Sequence, residues 1–211
     1  MKMRIALLAM VCLALAAIPA MAQGTYDNGP INGTTDAWTI NFGYIVSDTF
    51  TAPGAAVNSF SFGVWEFGGD SMTSVDWSIT SAENGGTVYG SGTASGKALT
   101  DTFISSNQYG YDDDLIAVTG LSVKTTTGST YWLNLQNAVV PSGDPVFWDE
   151  NSGKGCGGSG CPSLASESSV GTIPGEAFTI GGGGTTPEPS SIMLFGSGIL
   201  GLAGVLRRKL F

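Results

Sequence analysis

Apolar and polar residues take turns along four short stretches in the middle of the chain, which leaves little room for anything but β-structure. Trp38, Ile40 and Phe42 alternate with Thr39 and Asn41, and Phe60, Phe62 and Val64 with Ser61 and Gly63. Val75, Trp77 and Ile79 alternate with Asp76, Ser78 and Thr80, and Tyr131, Leu133 and Leu135 with Trp132, Asn134 and Gln136. A period of two puts one set on each face of a pleated strand. Weaker strand signals cover Tyr44–Phe50, Thr87–Ser91, Leu99–Ile104, Leu115–Val123, Pro145–Trp148 and Ala177–Ile180. Turn residues separate them at Pro53-Gly54, Gly68-Gly69, Asn84-Gly85-Gly86, Thr127-Gly128 and Ser142-Gly143-Asp144. About ten short strands with no helical period between them predict an all-β, antiparallel sandwich, jelly-roll-like or Ig-like. Glycine, at 32 of 211 residues, is about twice as frequent as the usual ~7% and fits many tight turns. No internal repeat is visible, which argues against a propeller or solenoid.

Charge and residue types exclude several functions. The 17 acidic residues against 8 basic ones give a net charge of −9. Lys97, Lys124 and Lys154 are the only basic residues between the two ends. Such a body is repelled by phosphates, so nucleic-acid binding is set aside. The chain has no histidine, which removes the Ser-His-Asp and Cys-His nucleophile pairs and the commonest zinc ligand. Hydrolysis by two carboxylates stays open in principle, but no acid pair is placed by sequence. A non-enzyme with no obligatory cofactor is the expectation.

The first 22 residues read as a secretory signal. Lys2 and Arg4 give the positive start, Ile5–Ile18 the apolar run, and Ala20 and Ala22 the small residues before a cut at Gln23. The Sec translocon and signal peptidase are therefore expected partners. Residues 23–180 form the expected extracytoplasmic domain, roughly 160 residues and one core. Gly181–Thr186 reads as a flexible linker. Beyond it stand Pro187-Glu188-Pro189, the uncharged apolar stretch Ser190–Leu206 and the basic end Arg207-Arg208-Lys209. As a helix, residues 190–206 would rise about 26 Å at ~1.5 Å per residue, close to a ~30 Å hydrocarbon core. The basic end keeps its side cytoplasmic and leaves the domain outside. The two prolines hold their segment extended and without two backbone donors, a shape suited to a peptidase cleft.

Pro-Glu-Pro, an apolar span and a basic end in this order resemble the PEP-CTERM sorting domain of Gram-negative bacteria, over residues 187–211. The resemblance implies processing by an exosortase near Pro187-Glu188-Pro189. It also implies transient anchoring in the inner membrane and delivery to the cell surface or extracellular polymer matrix. Parts of the body, among them Ser47-Asp48-Thr49-Phe50 and Trp148-Asp149-Glu150-Asn151, are similar to stretches of PEP-CTERM proteins and support the fold class alone.

Within the body, three places carry chemistry. Cys156 and Cys161 flank a glycine-rich run, and in an oxidising compartment a short-loop disulfide is expected there. Asp112, Asp113 and Asp114 are consecutive. They read either as a solvated turn or as calcium ligands, and their spacing is not that of the Asp-x-Asp-x-Asp-Gly loop. Trp148, Asp149 and Glu150, with Trp132 and Trp65, read either as core aromatics with solvated acids or as a platform on which a sugar ring stacks. Asp149 and Glu150 are adjacent and point to opposite faces of a strand, so they make a poor glycosidase pair. Asn32-Gly33-Thr34 matches a glycosylation sequon and is read as chance. The functional expectation is a non-catalytic surface or matrix protein, linked to biofilm or extracellular polysaccharide. A carbohydrate-binding module or lectin-like adhesin is the alternative.

Overall fold

The computed structural model describes residues 24–151 and 164–183. The signal-peptide residues Ala20, Ala22 and Gln23, the pair Cys156 and Cys161, the helix expected over 190–206 and the sorting residues Pro187, Glu188, Pro189, Arg207, Arg208 and Lys209 lie outside them. Among the described residues no helix is long and apolar enough to cross a membrane.

The described chain forms fourteen strands and one 3-10 turn, Gly96–Ala98. In chain order they are β1 (Thr25–Asp27), β2 (Ala37–Thr39), β3 (Ile45–Thr51), β4 (Ala56–Phe67), β5 (Ser74–Ala82), β6 (Gly85–Ser95) and β7 (Leu99–Ser106). Then follow β8 (Tyr111–Val118), β9 (Val123–Lys124), β10 (Thr130–Val139), β11 (Phe147–Asp149), β12 (Ala165–Glu167), β13 (Gly171–Ile173) and β14 (Phe178–Gly183). All pairings are antiparallel. One sheet has six strands in the order β13-β12-β3-β10-β5-β6. The other has eight strands and is organised by β4. Strands β14 and β11 lie end to end along one flank of β4, and β8 and β9 lie along the other. Strands β1 and β2 extend the first flank, and β7 extends β8.

The two sheets face each other across one apolar core. Phe60, Phe62, Val64, Ile116 and Trp148 come from the eight-stranded sheet, and Val46, Phe50, Val75, Ile79, Leu133 and Leu135 from the six-stranded one. Phe60 meets Trp77 edge-on across the interior, ring centres 6.0 Å apart. These are the inward residues of the period-two runs, so the alternation in the sequence becomes the inner and outer face of each sheet.

Three expectations are corrected. The run Trp38–Phe42 is a strand only to Thr39. Phe42 adopts φ 55° in a turn closed by the Tyr44 amide donating to the Asn41 carbonyl, and its ring is exposed. Asp112, Asp113 and Asp114 do not form a turn: they lie inside β8, opposite Glu66, Trp65 and Val64 of β4. Pairing with the long β4 outweighs the low strand propensity of Asp. The linker expected to start at Gly181 begins later, because Gly181–Gly183 continue β14 against Ser59, Val57 and Ala56. A Cβ on Gly181 would run into the Ser59 hydroxyl, and one on Gly183 into the Asn58 amide. The glycines here allow close approach of backbone and side chains rather than flexibility.

Candidate functional site

On the outer face of the eight-stranded sheet, side chains of β4, β8 and β11 converge. Because β4 and β8 pair in register, Trp65 stands opposite Asp113 and Phe67 opposite Tyr111. On the other flank Phe147 stands opposite Trp65. The outward residues of the three strands therefore form one row. Trp65 stacks on Tyr111 at 5.9 Å and on Tyr109 at 5.4 Å, with ring planes 28° and 24° apart. Phe67 and Phe147 meet Tyr111 edge-on, at 5.0 and 5.6 Å. Tyr109 is 54% exposed and Phe67 39%, while Trp65 beneath them is 6% exposed. The result is an aromatic surface with a rigid base and an open top.

Polar contacts lock that base. Asp149 is fully buried and accepts three hydrogen bonds: from the Trp65 indole at 2.6 Å, the Asn32 amide at 2.8 Å and the Gly33 amide at 3.1 Å. It thus ties the loop after β1 to β4. Asp113 accepts from the Ser105 hydroxyl at 3.0 Å and the Asn107 side-chain amide at 2.9 Å. Asn107 Oδ1 in turn accepts from the Tyr109 and Tyr111 amides, which shapes the β7–β8 hairpin that carries Tyr109. The Tyr109 hydroxyl donates to the Thr34 carbonyl at 3.2 Å. Burial raises the Asp149 carboxyl to about 6, opposed by the three donors and reinforced by the charge of Asp113. Burial likewise raises Glu150, opposed by the Trp38 indole donating at 3.4 Å.

The structure separates residues that the sequence placed in one platform. Trp148 is fully buried; its indole donates to the Ala177 carbonyl at 3.0 Å and its ring packs edge-on against Phe62 and Phe178. It occupies the core and offers no face to a ligand, which corrects its assignment as a contact residue. Trp132 is on the six-stranded sheet, where it lines a shallow hollow with Ser81, Glu83 and Leu164, and it is not part of the Trp65 surface. Asp149 and Glu150 part company as adjacent strand residues do: Asp149 serves the outer face, and Glu150 turns to Trp38. Asp113 faces the aromatic surface, whereas Asp112 and Asp114 share the opposite side of β8 with Glu66, since the β pleat sends neighbours to opposite faces.

Two functional elements escaped the sequence reading. Tyr109 and Tyr111 join Trp65 only through the register of β4 with β8, which no local pattern reveals. Asn32 is a structural clamp: its side chain donates to the Glu150 carbonyl at 2.6 Å and accepts from the Thr34 amide and hydroxyl. The signal for it was present, because Asn-Gly followed by Thr is a side-chain-capped turn as readily as a sequon.

Beyond the described residues, positions 185–209 match the family model of the PEP-CTERM protein-sorting motif. No curated protein matches the chain. The matched stretch contains Pro187-Glu188-Pro189, the apolar run and Arg207-Arg208-Lys209. A motif of this kind marks a chain for exosortase processing, with export and transient membrane anchoring before release at the surface. The chain is a protein that carries a PEP-CTERM sorting motif.

Proposed function

We propose that this is a non-catalytic surface or matrix protein, delivered by an exosortase and held in the extracellular polymer layer. On this reading residues 1–22 are the signal peptide that Sec and signal peptidase process. Residues 190–206 span the inner membrane transiently, and the body is a jelly-roll-like or Ig-like sandwich pinned by a Cys156–Cys161 disulfide. The observation that carries the reading is the sorting motif at 185–209, set behind a body of acidic composition without histidine. Deleting residues 185–211 in the native host tests it. The truncated protein should be lost from the surface and matrix fractions; an unchanged distribution would refute the assignment.

A second reading rests on the Trp65–Tyr109–Tyr111 surface: a carbohydrate-binding or lectin-like module. Aromatic faces stack on sugar rings, and Tyr109 and Phe67 are the exposed rings of this surface. Tyr109 is the residue to change, because its ring is exposed and its loss leaves the core intact. Tyr109→Ala should abolish adsorption to the host's own polysaccharide while shifting Tm by no more than about 2 °C, as expected of an exposed site. Wild type that fails to adsorb would dispose of this reading and leave the first untouched.

A further inference from the structure

On the inner side of β4, one residue from the end of the strand, stands an acid that the interior does not satisfy. Glu66 is fully buried, and neither of its carboxylate oxygens has a hydrogen-bond partner. Its surroundings are acidic. Glu66 pairs with Asp112 of β8, and Asp114 lies two residues further along the same face of that strand. Asp101 of β7 is opposite Ile116 of β8, and Asp70 belongs to the loop between β4 and β5. Burial is the main reason the Glu66 carboxyl is pushed up to about 8, with the charges of Asp101, Asp114, Asp70 and Asp112 adding to it. None of the groups acting on it is basic.

Two of the same acids hold the β4–β5 loop. Asp101 accepts from the Met72 amide at 2.6 Å, and Asp112 from the Gly69 amide at 3.3 Å. A neutral Glu66 carboxyl can stay inside at the cost of unmade hydrogen bonds. An ionised one must reach water, because a buried charge without a partner costs far more. The way out is short, since Phe67, Gly68 and Gly69, the next three residues, are exposed. A negative charge on Glu66 also repels Asp101 and Asp112, the two acceptors that hold the loop. We propose that Glu66 is a proton-controlled latch on the β4–β5 loop: protonated, it keeps this end of the sandwich closed, and ionised, it moves toward water and frees the loop from Asp101 and Asp112. In a chain destined for the surface, the latch ties the loop to the pH of the medium.

Hydrogen exchange of the full chain in detergent, corrected for the intrinsic effect of pH, tests this at the Met72 amide. The sign follows from linkage. The Glu66 carboxyl has its ordinary value of 4.5 when the loop is open and about 8 when it is closed, so the closed form holds a proton that the open form releases. Opening therefore becomes easier as pH rises between those values and levels off above about 8. From pH 6 to pH 8 the Met72 amide should exchange roughly fiftyfold faster. It should also stay well ahead of the amide of Leu133, a fully buried core residue that reports global unfolding. Glu66→Gln cannot ionise and should cut the rise to a few-fold at most. Asp114→Asn removes one of the charges acting on Glu66 and should move the levelling-off to lower pH, which keeps the test sound if Glu66→Gln folds poorly. Equal Met72 exchange at pH 6 and pH 8 in the wild type would overturn the proposal. So would a rise undiminished in Glu66→Gln, a levelling-off unmoved in Asp114→Asn, or a Met72 amide that exchanges no faster than that of Leu133.

Discussion

Replacing Asp149 with alanine probes the base of the aromatic surface most sharply. The change orphans three buried donors: the Trp65 indole and the Asn32 and Gly33 amides. At about 2 kcal/mol for each unsatisfied donor, the loss is roughly 6 kcal/mol. Alanine also removes a buried charge. Raising the Asp149 carboxyl from 3.8 to about 6 corresponds to about 3 kcal/mol against the ionised form at neutral pH. The variant should therefore be destabilised by roughly 3 kcal/mol at pH 7. The sign of the pH effect follows from linkage. Between pH 3.8 and about 6 the folded protein keeps a proton on Asp149 that the unfolded chain releases. The group's contribution is therefore largest in acid and declines as pH rises through that window. The gap between wild type and Asp149→Ala should widen by about 2–3 kcal/mol from pH 7 to pH 4. Urea unfolding followed by tryptophan fluorescence at both pH values measures it. The difference between the two proteins cancels the other buried acids. A gap under 1 kcal/mol at pH 7, or one that is the same at pH 4, would refute the reasoning.

Three further outcomes are expected. Gly33→Ala combines a left-handed backbone, φ +59°, with a Cβ only 2.6 Å from Asp113 Cγ. Since Ser105 and Asn107 hold Asp113, the variant should lose about 2 kcal/mol or more in a urea titration. Trp148→Ala removes a fully buried indole and should cost about 3–5 kcal/mol. Trp132→Ala, on the hollow of the other sheet, should cost less than half of that. Gly183→Ala places a methyl against the Asn58 amide and should lower Tm measurably, although a flexible linker would tolerate it without change.

The fold class could be read from the chain because inward and outward residues alternate on strands such as β5 and β10, and that alternation is local. What could not be read was set by register. Asp112, Asp113 and Asp114 look like one group in sequence, and the pleat of β8 divides them between the core side and the aromatic side. Glu66 is one acidic residue in an apolar strand, and only the pairing of β4 with β8, and of β8 with β7, puts Asp112, Asp114 and Asp101 on its side of the sheet. Trp148 and Trp132 are equally aromatic and equally strand-like. Their fates differ because one points between the sheets and the other lies on the far face of the partner sheet. Short strands such as β1 and β12 carry too few residues for a period to show, and exist because the longer β14 and β3 offer them an edge. The sorting motif, by contrast, is a linear signal, and its order along the chain is the information.

The most direct test of the account is the intact mass of the protein recovered from the surface of its own host. Processing at the sorting motif predicts a mature chain that begins near Gln23 and lacks Arg207-Arg208-Lys209. A surface-exposed protein whose mass still includes residues 207–211 would contradict it.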